Sequence, residues 1–484
     1  MVKHRQKADF AIWIIVIMMV LLVGAGGIYF YIMQDGGEAS EVNDNWLEDA
    51  SGVDWKNYPS KSIVVRDGLM ITEAGVYNLS GEISDGGIVI DTDGPVKLIL
   101  NAVTVANLNG PAIKIKQAER VMIYLPEGTH NSLTDGGDYA VQENAAATGT
   151  IYSKVKLEFD GAGELEVKGE SLHAVVAKDD LIIYNGCYNI TADQDAINGK
   201  KLVKILGGDF EIEAGDDAIH ADEKLQLAAA VVDIVESYEG LEAPEIVIDS
   251  GEVRIKASDD GINAADGTSD MAVGFGQMTN TTSQNSLTIN GGEIYVDAEG
   301  DGLDANGSIY INGGNVIIEG PTSGADGALD YDGELKIAGG TLLAIGSRQM
   351  AQGISQTSTQ YGMLVNLPVS YDVGAKIKIL DDGETIMEWT GGKKFDSLVF
   401  SSAGLTKGKT YAIKVNDVDV AEVTIEDIAT NYGQGGMMDG GWLPGMHGEM
   451  NGERPEMLDG ERPEMPGDVM RGRFNFRSEA ENNS

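Results

Sequence analysis

Acidic side chains recur along this chain in a fixed relation to a series of isolated Ile and Leu residues. The apolar references are Ile197, Ile219, Leu241, Ile262, Leu303 and Leu329. The first three steps are nearly equal, and the fourth is almost twice as long. Two places before them stand Asp195, Asp217, Glu239, Asp260 and Asp301. Three places before stand Gln194, Asp216, Tyr238, Asp259, Gly300 and Asp326, and one place after stand Asn198, His220, Glu242, Asn263, Asp304 and Asp330. If each step is one coil of a stacked β-structure, equivalent carboxylates lie about 4.8 Å apart. At an effective dielectric near 20 each adjacent pair then repels by roughly 3–4 kcal/mol. Two remedies exist, a raised pKa or a bound cation.

Oxygen atoms converging from two adjacent coils make a hard-ligand environment. Calcium takes about six to eight oxygens at roughly 2.3–2.6 Å in flexible geometry, and carbonyls of glycine-bearing turns can complete such a shell. Soft metals are disfavoured, because the columns hold no Cys and one His, His220. A single acidic turn would read as a solvated edge; five stacked copies point to Ca²⁺. The expected ligands are Asp195, Asp216, Asp217, Glu239, Glu242, Asp259, Asp260, Asn263, Asp301, Asp304, Asp326 and Asp330. No residue earns a catalytic role.

Short alternating strands must position these acids. In EIVIDSGEVRIKA the period of two sends Ile246, Ile248, Val253 and Ile255 to one side and Glu245, Asp249, Glu252, Arg254 and Lys256 to the other. The turns between strands are repeatedly Asn290-Gly291-Gly292 or relatives of it, such as Asn312-Gly313-Gly314 and Ala338-Gly339-Gly340. Such residues tolerate positive φ. Three strands and three turns in about 22 residues describe one coil of a parallel β-helix. Weaker copies are expected upstream at Val175, Val141 and Ile113, and downstream at Ile354; an insertion around TSDMAVGFGQMTNTTSQN accounts for the long fourth step.

The fold class expected is therefore all-β: a right-handed parallel β-helix over 63–365, a small antiparallel β-module over 366–428, and one transmembrane helix ahead of both. Residues 35–62 form a tether and the start of a cap that polar residues 41–80 complete. Residues 429–484, rich in Gly, Met and Pro with GERPEM twice, are expected to be disordered. The helix is read from Ala11–Met33, an uncharged stretch preceded by Lys3, Arg5 and Lys7. At about 1.5 Å per residue it spans roughly 35 Å, enough for a bilayer core, and the flanking charge keeps the amino end inside. Residues 1–34 thus form a cytoplasmic stub and anchor. The body is a single-pass membrane protein facing the exterior, or is secreted if the segment is a cleaved signal.

Composition narrows the function. A net charge of −43, from 77 Asp and Glu against 34 Lys and Arg, argues against nucleic acid as a partner. The lone cysteine, Cys187, allows no intrachain disulfide and reads as a small strand hydrophobe. DTDG at 91 lacks EF-hand spacing, and no nucleophile-elbow, P-loop or HExxH motif is present.

The run GDDAIHAD…ESYEGLEA…IDSGEVRIKASDDGINAADG resembles the calcium-binding, carbohydrate-binding parallel β-helix proteins exported by anaerobic Gram-positive bacteria, whose fold is similar to pectate lyases. The likeness covers most of residues 80–430. In lyases of that fold two adjacent Asp and a third acid three residues on hold calcium. The matching positions here are Asp259, Asp260 and Asn263, then Asp216, Asp217 and His220, and in part Asp301 with Asp304. The resemblance implies a calcium-binding protein that holds cellulose or an acidic glycan such as polygalacturonate. Two other readings stay open. One is a calcium-dependent pectate-type lyase, for which Lys178, Lys200, Lys201 and Lys224 are the nearby bases. The other is a structural cell-surface component.

Overall fold

The computed structural model describes residues 43–136, 147–266 and 285–435. The expected anchor, most of the tether, Val141, nearly all of the insertion and the tail from 436 onward lie outside the described residues. Among the described residues no helix is long and apolar enough to cross a membrane. The only helical turns there are two short 3-10 segments, Asp44–Leu47 and Trp55–Asn57.

Alternation builds the coils. In Asp209–Ala214 exposed and buried residues exchange at every step, Phe210, Ile212 and Ala214 pointing inward. The next strand, Ile219–Ala221, turns the corner, and Lys224–Leu227 opens the following coil. Each strand pairs in parallel with its equivalent one coil away, so three lines of strands run along the stack. One line is an 11-stranded parallel sheet; the other two join in a 24-stranded sheet. In the 11-stranded sheet the apolar references stand in one file, Ile197 to Ile219 to Leu241 to Ile262 to Leu303 to Leu329. All six are buried. Each full burial of an Ile or Leu is worth about 1.5–3 kcal/mol, and a one-residue slip would forfeit it along the whole file.

The long fourth step leaves this file intact: Ile262 pairs with Leu303 as directly as Ile219 pairs with Leu241. Upstream the file continues through Val175, Ile151 and Ile113. Ile151 thus takes the place the repeat assigns to Val141, because the strand Gly149–Ser153 is the one in register. Ile354 is buried against the last coils but belongs to no strand.

The Asn-Gly-Gly corners stack as the spacing implies. Asn312 donates its amide to Asn290 Oδ1 at 2.9 Å, and Asn290 donates to Asp249 Oδ1 at 2.8 Å. Gly314 has φ +90°, and a Cβ there would sit 2.8 Å from the Gly292 carbonyl oxygen. Glycine is required at that position on both counts.

Both ends depart from the expected boundaries. The first parallel strand is Ser60–Val64, paired with Gly75–Ile83, so most of the segment expected to cap the stack is itself coil. Residues 43–58 lie instead against outward-facing Val76, Ile99 and Met122. They are pinned there by Asp49, which accepts from Trp55 Nε1 and from the fully buried Lys97 ammonium, both at 2.6 Å. At the other end the parallel stack closes at Thr341–Gly346, not at 365. Phe395–Ser402 runs antiparallel to that strand and to Gly362–Tyr371, and Ala429–Tyr432 pairs in parallel with Gly362–Tyr371. These strands occupy the edge that the last coil would leave unpaired. The described structure consequently extends past 428, through the strand Ala429–Tyr432 to residue 435. The expected antiparallel module is present as a four-stranded sheet, in the order Glu384–Thr390, Lys376–Asp381, Thr410–Val415, Val418–Thr424.

Candidate functional site

Because the inward file is in register, the acids beside it are too. Backbone bonds tie the column two places upstream: Ala196 N donates to Asp217 O, Ala218 N to Glu239 O, Gly240 N to Asp260 O and Gly261 N to Asp301 O, at 2.8–3.1 Å. The column one place downstream is paired from Asn198 through His220, Glu242, Asn263 and Asp304 to Asp330. All twelve expected ligands therefore flank one edge of the 11-stranded sheet. Within that edge, among the described residues, the structure draws two groups of ligand atoms to within 4.8 Å of one another: Asp217 with His220 and Glu242, and Asp301 with Asp304 and Asp330.

The first group is closed by a histidine. His220 Nδ1 lies 2.9 Å from Asp217 Oδ2 and 2.5 Å from Glu242 Oε2, while Nε2 lies 2.9 Å from Asp222 Oδ1. With carboxylates at both ring nitrogens the imidazole is held as a cation. Burial opposes that charge, but Asp217, Glu242 and Asp222 outweigh it and lift the pKa to about 11. Asp217 is pushed up to about 8, by burial first and then by Glu242, against the His220 contact. Glu242 goes the other way: burial would raise it, but His220 and Asp217 overcome that effect. Upstream, Asp195 is likewise satisfied, its burial being outweighed by His173 and then the Asn198 amide, so that its pKa is lowered.

The second group has no basic side chain. Asp301 accepts from Gly327 N at 2.5 Å, and Asp260 accepts from Asp301 N at 2.7 Å. Burial, then the charges of Asp260, Asp330 and Asp304, raises Asp301 to about 8. Burial, then Asp260, Asp330 and Asp332, raises Asp304 to about 7. Asp260 rises to about 6, through burial and then Asp259, Asp326 and Asp330. Asp330 is also raised by burial, although the Gln352 amide contacts it. Between the groups Glu239 rises to about 9, through burial and then Asp217 and Glu242. Asp216 is raised in the same direction, by burial and then Asp195 and Glu242. Asp259 takes a hydrogen bond from the Tyr238 hydroxyl, whose pKa rises to about 12 because of it.

Two amide oxygens sharpen the picture. Asn198 and Asn263 are 4% and 9% exposed, yet Asn198 Oδ1 and Asn263 Oδ1 meet no donor. Their NH₂ groups face Asp195 and Glu239, the latter at 3.0 Å. An orphaned buried acceptor costs about 1–3 kcal/mol. An all-oxygen set of several carboxylates and an unsatisfied amide oxygen is what a hard divalent cation takes, so these residues fit calcium. Asp222 and Asp332 contribute without having been expected. They occupy the place three residues after Ile219 and Leu329, a column the same period would have located.

Three likenesses to known proteins accompany this geometry. A family model described as carbohydrate-binding domain-containing protein matches residues 66–327, more than half of the 484 residues. A carbohydrate-binding domain-containing protein of Acetivibrio thermocellus is 31% identical over 174 residues, which is 35% of this chain and 59% of the relative. A polysaccharide lyase-like protein from C. thermocellum, solved as a gadolinium derivative, is 24% identical with a TM-score of 0.36, over 57% of this chain and 96% of that one. On the extent of the family match, the chain belongs to the carbohydrate-binding domain-containing proteins.

Proposed function

We propose that this chain is an extracytoplasmic carbohydrate-binding protein that holds calcium on the acidic edge of its β-helix and binds cellulose or an acidic polysaccharide such as polygalacturonate. The observation that carries the reading is the group of Asp301, Asp304 and Asp330, half-buried acids drawn together with no basic partner among the described residues. Asp260, Asn263 and Asp326 stand around it in the same columns. Calcium there would supply positive charge to a body of net charge −43. That is one physical route by which such a body holds a polyuronate. Exposed Tyr238, 46% accessible beside Asp259, offers an apolar face next to the acids for a sugar ring.

Lyase chemistry finds less support. A general base must come within hydrogen-bond reach of the proton it removes. Lys200, Lys201 and Lys224 are paired with Asp222, Asp179 and Glu245 at 2.8, 2.7 and 2.5 Å. Lys178 stands five coils away from Asp304 along the stack, far outside the reach of one side chain.

Co-sedimentation with cellulose and with polygalacturonate, each in calcium and in EGTA, tests the reading. Binding that calcium strengthens supports it, and no binding to either polymer in calcium would leave a structural surface role instead. Growth of ultraviolet absorbance from unsaturated product on polygalacturonate would mark a lyase.

A further inference from the structure

The outward face of the 11-stranded sheet changes sign along its length. Three places after the inward apolar residue, four successive coils carry Lys116, Lys154, Lys178 and Lys200, and the fifth carries Asp222. Backbone bonds lock this row: Lys154 N donates to Ile115 O at 3.1 Å, Lys178 N to Ser153 O at 2.8 Å, and Lys200 N to Ala177 O at 2.9 Å. The four lysines therefore stand in a line, about 4.8 Å apart and about 14 Å long. Lys116, Lys154 and Lys178 are exposed, and among the described residues no carboxylate comes within ion-pair distance of them. Lys200 alone is paired, with Asp222 where the row ends.

Such a row works against the fold, because like charges at coil spacing repel. Lys114, one place after Ile113, registers it: burial first, then Lys116 and Lys154, lowers its pKa. Lys178 is lowered too, by burial and then Lys200. In a chain with 77 acids and 34 bases, a basic row at lattice spacing with three members unpaired among the described residues calls for an anionic partner. The shape of the row specifies its kind. A point anion needs donors that converge, whereas parallel lysines in file offer one charge per coil to a linear polymer with one charge per unit.

We infer that this face is a binding track for a linear polyuronate, with Lys116, Lys154, Lys178 and Lys200 meeting successive carboxylates directly. The polymer's identity rests on the carbohydrate-binding reading above; the position of the row does not. Beyond Asp222 the same face becomes the acidic edge, so one chain would pass from lysines to the candidate cation site.

Polygalacturonate binding by the full chain, in EGTA and in calcium, tests the track in two variants. One is Lys116→Gln/Lys154→Gln/Lys178→Gln. The other is Lys336→Gln/Lys376→Gln/Lys407→Gln, which removes the same charge from lysines elsewhere on the surface. The wild type and the second variant are expected to retain salt-sensitive binding in EGTA. The first should lose roughly tenfold, three exposed ion pairs being removed, while its cellulose binding stays unchanged and its melting temperature does not fall. Arginine at the same three positions should restore it. Equal loss in both triple variants, or none in the first, overturns the track while leaving calcium-dependent binding to stand. Equally tight, lysine-dependent binding of single-stranded DNA would make the row a general polyanion surface and overturn the polyuronate assignment. Absence of all polysaccharide binding by the wild type in calcium would remove the underlying reading as well as the track.

Discussion

The group around His220 and the group around Asp301 occupy the same two columns of the same sheet, yet they solve the same electrostatic problem differently. In the first, Asp217 and Glu242 close on an imidazolium that also reaches Asp222. In the second, the place of His220 is taken by Asp304, and no base replaces it. A stacked lattice delivers oxygens wherever the repeat puts them. One residue at the place after the apolar reference then decides whether the acids are neutralised from within or left without a basic partner.

The largest effect should follow from breaking the internal solution. His220→Ala leaves buried carboxylates facing one another, and loss of one partner from such a pair costs about 3 kcal/mol or more. The melting temperature should fall by several degrees in EGTA and recover in calcium, as the first group comes to resemble the second. Recovery that is no greater than the wild-type response would show the groups are not equivalent.

Next comes EGTA treatment of the calcium site proposed at the second group. With calcium at about 100 times its Kd, a single site stabilises by about 2.7 kcal/mol, which EGTA should abolish. Asp304→Asn should weaken that response and at the same time raise the melting temperature in EGTA, since it removes a half-buried acid already held above its ordinary range. A calorimetric titration that finds no calcium heat in the wild type would sink the site.

The two groups also differ in their pH windows. Asp301 and Asp304 rise from 3.8 to about 8 and about 7, so the folded state holds protons that the unfolded chain has released. Their contribution is present below pH 4 and is lost as pH rises towards 8. His220 rises from 6.5 to about 11, and its contribution is present below 6.5 and lost as pH rises through 11. In EGTA the Asp301→Asn/Asp304→Asn variant should flatten the melting curve between pH 4 and 8 only, and His220→Ala should flatten it above 7. Identical pH profiles would contradict the separation.

The smallest effect should be at Asn263, whose Oδ1 has no donor. Asn263→Leu should weaken calcium binding a few-fold, one neutral oxygen among about six to eight. Asn263→Asp should strengthen it.

Much of the coil was legible because the inward file repeats. Ile197, Ile219, Leu241 and Ile262 stand at nearly equal intervals, and any other register would bring charge into the core. The same period revealed the acid columns. It points to Val141 where Ile151 in fact stands, because the step lengthens there and a local motif carries no information on which coil it joins. The strand Ala429–Tyr432 gave no local signal, being short and owing its form to the partner strand Gly362–Tyr371. Lys178 and Lys200 are legible singly, while their file with Lys116 and Lys154 is hidden by the longer interval between the first two.

By itself the amino-acid sequence determined the coil, its inward residues and the columns of acids, since side-chain alternation and hydrophobic burial act along the strand and need no distant partner. Only the tertiary structure decided which acids are crowded by other acids, which are held by His220 and which remain unmatched. Those properties depend on groups one coil away in space but a full repeat or more away in the chain, and on how completely the stack excludes water from them.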